Sequence, residues 1–135
     1  QSVSEILTGI TASQAAAHPI PHAHSIWEIV LHCAAWQRAV RERLQGKPIV
    51  SLPDDEDWPP ADDTSDQAWC KAVEVLRSEY EMLQEEALKW RDRDLGETTE
   101  GQRFTVYQML HGVVQHLLYH AGQIVILKKA IAGDA

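Results

Sequence analysis

Apolar residues recur at three- and four-residue intervals through three long stretches of the chain, the period of an α-helix that buries one face. Between 25 and about 45 the series is Ile26, Ile29, Val30, Cys33, Trp36, Ala39, Val40 and Leu44, closed by Gly46 and Pro48. From 65 to about 91 it is Trp69, Val73, Leu76, Tyr80, Leu83, Ala87 and Trp90. From about 106 to 132 apolar positions run almost all the way round, which suits a helix at a bundle centre or partly in a subunit interface. Residues 2–9 read as the end of a further helix, cut short. No strand-period alternation, repeat or low-complexity segment occurs. The pattern predicts an all-α four-helix bundle in a single domain over residues 1–135, with a truncated first helix. A long Pro-rich acidic connector, about 46–63, separates the second and third of those helices.

Helix starts are marked by Ser or Thr followed three residues later by Gln or Glu, the capping box that satisfies two orphan N–H groups. Thr11 with Gln14, Ser25 with Glu28, Thr64 with Gln67 and Thr105 with Gln108 fit it. The first opens only a short turn, because Pro19 and Pro21 follow.

A formal charge of −8 weighs against nucleic acid as a partner, since phosphate binding needs a basic surface. The acids Asp54, Asp55, Glu56, Asp57, Asp62, Asp63 and Asp66 read as a solvated connector; Pro53, Pro59 and Pro60 interrupt them and the EF-hand spacing is missing. Cys33 and Cys70 show no metal or disulfide spacing and read as small buried hydrophobes. No run reaches the ~18 apolar residues of a membrane span, and no signal-peptide pattern opens the chain. The expected setting is cytoplasmic, without a membrane partner.

His116 and His120 carry the most chemistry. Four residues apart on a helix, they present two imidazoles on one face, a spacing that can offer two nitrogens to one divalent cation. Two ligands do not complete a site. His111 lies about 140° round the helix from His116 and reads as a surface residue. His18, His22 and His24 sit in a Pro-containing turn, and His32 lies mid-helix. No CxxCH motif supports haem.

HSIWEIVLHCAAW (residues 24–36) followed by MLHGVVQHLLYHAGQIVILKKA (residues 109–130), with DWPP and QAW between them, resembles the DinB-like superfamily of four-helix metalloproteins. That resemblance implies a divalent metal, zinc or nickel, held by His32, His116 and His120. It also implies a thiol-dependent S-transferase or a metal-dependent hydrolase, with a low-molecular-weight thiol or another small molecule as substrate. Leu117 stands where relatives often carry an acid. Three protein nitrogens leave a coordination position open, as catalytic sites do. Glu28, one turn before His32, could serve as a base, although its capping box with Ser25 competes for it. Gln123 returns to the face of His116 two turns on, and Tyr119 lies about 60° from it; either could orient a substrate. Trp27, Trp36 and Trp58 are candidate pocket walls, core packing being the stronger reading for the first two. The contrasting expectation is a non-catalytic helical module that binds a ligand or partner. A homodimer through the last helix is expected in either case.

Overall fold

The computed structural model describes residues 2–133. Two short helices, α1 (Val3–Leu7) and α2 (Ala12–Ala16), precede α3 (Ile26–Leu44). The connector then holds a single helical turn, α4 (Asp54–Asp57), before α5 (Asp66–Ala87). A 3-10 turn at Asp92–Asp94 and a loop with one isolated bridge, Thr98 to Thr105, lead into α6 (Val106–Gly133). Among the described residues there is no β-strand, and no helix is long and apolar enough to cross a membrane.

Three of the four expected capping boxes form, at Thr11/Gln14, Ser25/Glu28 and Thr105/Gln108. The fourth does not. Ser65 caps α5 by accepting the Ala68 N–H at 3.2 Å, one residue past Thr64, so Gln67 has no reciprocal role. An unforeseen box, Ser2 with Glu5, opens α1. The second long helix also stops at Ala87, leaving Trp90 in the turn beyond it. Cys33 is buried as expected, whereas Cys70 is exposed, because α5 turns that position outward.

Helix direction follows from which halves share a core. Ile26, Ile29 and Val30, early in α3, are buried with Trp69, Ala72 and Leu76, early in α5, and with Ile124 and Leu127, late in α6. Val40, Leu44 and Leu83 form a second cluster with Val106 and Met109. α3 and α5 therefore run parallel and α6 runs antiparallel to both. Arg41 to Glu79 and Gln45 to Glu86 tie α3 to α5 in the same register. A parallel pair cannot be joined by a tight turn, which is why the connector must travel the length of the bundle. Ile6, Leu7, Ile10 and Ala15 from the N-terminal segment complete the first cluster. Each fully buried aliphatic side chain there contributes roughly 1.5–3 kcal/mol.

α6 is less enclosed than its sequence suggests. Val114, Leu118 and Ile126 are each more than half exposed, an apolar stripe on which the expected homodimer would have to form.

Candidate metal centre

His32 stands on the second turn of α3, on the face that looks toward α6. His116 and His120 rise from the middle of α6 one turn apart. Their three Nε2 atoms converge: His116 Nε2 lies 2.9 Å from that of His32 and 3.1 Å from that of His120. One ligand atom from each ring falls within 4.8 Å of the others, so the cluster could hold a metal ion. Nitrogens bound to one tetrahedral zinc at 2.0–2.1 Å stand about 3.3 Å apart, close to the two separations made by His116 Nε2, so the donor set is compatible with a single small cation.

The outward nitrogens are committed. His32 Nδ1–H donates to the Asp57 carbonyl oxygen at 2.6 Å, and the Asp57 carboxylate lies 3.1 Å from the same nitrogen. His120 Nδ1–H donates to Gln123 Oε1 at 2.6 Å, and Gln123 Nε2 in turn donates to the Tyr119 hydroxyl at 3.1 Å. With Nδ1 protonated, a neutral ring keeps its lone pair on Nε2, the arrangement that outer hydrogen bonds impose on metal-ligating histidines. Burial, then the imidazoles of His120 and His32, push His116 down to about 4 against the opposing pull of the Asp57 carboxylate. Burial also lowers His120, with the Gln123 hydrogen bond acting the other way and His32 and His24 adding to the fall. Both rings are neutral at pH 7, as ligands must be.

These depressed values have a stability consequence. The unfolded chain takes up protons at these histidines near pH 6.5, before the native state does. Metal-free protein should therefore have the contribution in full above about pH 6.5 and lose it as pH falls toward 4. His116 is half-buried, and after allowance for solvent screening we expect about 1 kcal/mol lost between pH 7 and pH 5. Denaturant midpoints measured in chelator should show that loss in wild type and a clearly smaller one in His116→Gln, where only His120 still contributes. Parallel pH profiles would contradict it.

Trp58 closes one side of the cluster. Its ring stacks on His32 at 3.8 Å and on His24 at 3.6 Å, each within 7° of parallel. Trp36 donates its indole N–H to Asp57 Oδ1 at 2.6 Å. Asp57 thus braces two α3 side chains from the connector, although its neighbours Asp54, Asp55 and Glu56 are solvated as expected. Neither Asp57 nor His24 stood out as a site residue in the sequence. The sole hint was Asp57 beside Trp58 and the rigid Pro59–Pro60 pair.

The remaining expected residues lie further out. Glu28 Oε2 accepts the Ser25 N–H at 2.7 Å and sits 3.3 and 3.4 Å from ring nitrogens of His18 and His24. Burial raises its pKa, but the Ser25 N–H and those imidazoles outweigh burial and hold it below the usual value. Glu28 therefore serves the helix cap and the 18–24 turn. Tyr119 is mostly exposed, and its hydroxyl is engaged with Gln123. Leu117 packs against the apolar core. His111 is exposed and stacked on Tyr107, the surface role its position predicts. Trp27 is a core residue packed on Trp69, while Trp36 borders a cavity of about 680 Å³ that opens beside His32 and His116.

Parallel and antiparallel long helices with a tri-histidine cluster on their facing sides define a helical protein whose core carries three ring nitrogens that could hold a metal ion. The family model of the DinB superfamily matches residues 1–124, and the chain belongs to that superfamily. No curated protein and no solved structure matches the chain significantly.

Proposed function

We propose that His32, His116 and His120 hold one divalent ion, zinc or nickel, and that the protein uses it as a thiol-dependent S-transferase on a small-molecule substrate. The observation that carries this reading is the convergence of three Nε2 atoms while two of the rings have their Nδ1–H groups engaged elsewhere. Only one proton can sit on His116 Nε2, and it can serve only one of its two neighbours. A cation satisfies all three lone pairs at once, and without one a buried acceptor stays unpaired.

When bound, the ion would lower the pKa of a thiol or water held at the position the protein leaves open. The chain's own groups set the rest. Asp57 and Gln123 orient the ligand rings, Trp58 excludes water from one side, and the cavity beside His116 admits the substrate. Asp57 is the one acid among the residues named at this centre, and it is occupied by Trp36 and His32. That scarcity of bases favours a nucleophile that needs none, a thiolate, over hydrolysis by water.

Cobalt-substituted protein titrated with N-acetylcysteine should develop a thiolate-to-cobalt charge-transfer band. A spectrum unmoved by the thiol would sink the transferase reading and favour a hydrolase or a non-catalytic module. Gln123→Leu should weaken zinc binding about tenfold to a hundredfold by releasing His120, while Glu28→Gln should leave it unchanged.

A further inference from the structure

His32, Trp36, Val40 and Arg43 form one stripe along α3, and all four border the cavity that opens beside His116. Arg43 stands three turns beyond His32, about 16 Å of helix rise. Long side chains on a helix lean back toward its N-terminus, which brings the guanidinium toward the histidines. Its Cζ lies 5.5 Å from the centre of the Trp36 ring, and that ring is 6.1 Å from the ring of His116. The cavity therefore has a metal-binding end and a cationic end, with an indole between them.

Arg43 is only 8% exposed and has no carboxylate partner among the described residues. Nε donates to the Ile49 carbonyl at 2.7 Å and Nη2 to the Val50 carbonyl at 3.1 Å. Nη1 makes no hydrogen bond among the described residues. Two carbonyl dipoles hold the group in place but do not neutralise it, and an uncompensated buried charge is unfavourable. Burial lowers its pKa, although a guanidinium remains charged at any physiological pH. The cavity's one acid, Asp57, is engaged at the histidine end.

We infer that Arg43 is a specificity-determining residue that receives the carboxylate of an otherwise apolar organic acid, whose other end reaches the three histidines. This rests on the reading of the cavity as the substrate site of the metal centre. The end of the guanidinium that the Ile49 and Val50 carbonyls leave free, Nη1 with the second N–H of Nη2, suits a carboxylate, the Trp36 face and Val40 suit an apolar body, and the volume lies within the range of small-molecule sites.

The test compares 4-phenylbutyrate with its uncharged amide, followed by calorimetry on zinc-loaded and chelator-stripped protein. The acid should bind at least about tenfold tighter than the amide in both forms, and Arg43→Gln should erase that preference while keeping the full zinc content. Equal binding of acid and amide by wild type, or a preference that survives Arg43→Gln, overturns the inference. A preference seen only with zinc overturns it too, because the carboxylate would then be sitting on the metal. Failure of the metal centre would show instead as absent zinc with the acid preference intact. Because Arg43 also secures residues 49–50, Arg43→Gln could fail to fold, and wild type labelled with 15N-arginine supplies a second readout. The Arg43 Nε–H resonance should move with 4-phenylbutyrate and not with the amide; an unmoved resonance overturns the inference.

Discussion

Chelator-stripped protein is expected to take up one equivalent of zinc per chain, and His116→Ala to weaken that binding on the order of a thousandfold. His116 is the middle of the cluster, with its Nε2 about equally close to both other ring nitrogens. Its loss leaves two donors on two helices with nothing between them. His32→Ala and His120→Ala should act in the same direction, each also releasing an outer acceptor, the Asp57 carbonyl or the Gln123 amide. His111→Ala is the control, since that ring is exposed and stacked on Tyr107. Elemental analysis and competition with a chelating dye read the outcome. Wild-type zinc affinity in His116→Ala would remove the three-histidine site altogether.

Trp69→Ala should lower stability by about 3–5 kcal/mol, or roughly 10–20 °C in melting temperature. The indole is 5% exposed, packs on Trp27 at 5.2 Å, and donates to the Ile10 carbonyl at 2.8 Å. It joins α5 to the N-terminal segment that completes the core. Trp69→Phe keeps much of the packing but leaves a buried carbonyl unpaired, and should cost about 1–3 kcal/mol. The phenylalanine variant should retain wild-type zinc affinity, because α3 and α6 still face each other. Thermal and denaturant unfolding measure both, and a Trp69→Ala effect under 1 kcal/mol would mean this contact is not structural.

The long helices were readable because their signals are local. A 3.6-residue period and a side-chain cap depend only on neighbours in the chain. The α5 terminus was misread because Trp90 continues the apolar spacing past Ala87, where the backbone has already turned away. Helix direction was not readable, since it depends on how far the connector travels. The same division runs through the site. His116 and His120 announce themselves by spacing on one helix, whereas His32 required a family resemblance. Asp57 was hidden because its role is created by tertiary structure: it contacts a histidine 25 positions away. Its own neighbourhood reads as solvated acid and, for Asp54 to Glu56, is so.

The route of the connector separates two jobs at the histidine cluster. Helices α3 and α6 determine where the imidazoles stand; the loop carrying Asp57 and Trp58 determines which nitrogen of His32 is bare and what shields it. Sequence drift in that loop could therefore alter the reactivity of the centre while the helical frame stays intact. Asp57 is the position at which such a change would be felt first, since it alone among the described residues touches both His32 and Trp36 from the connector.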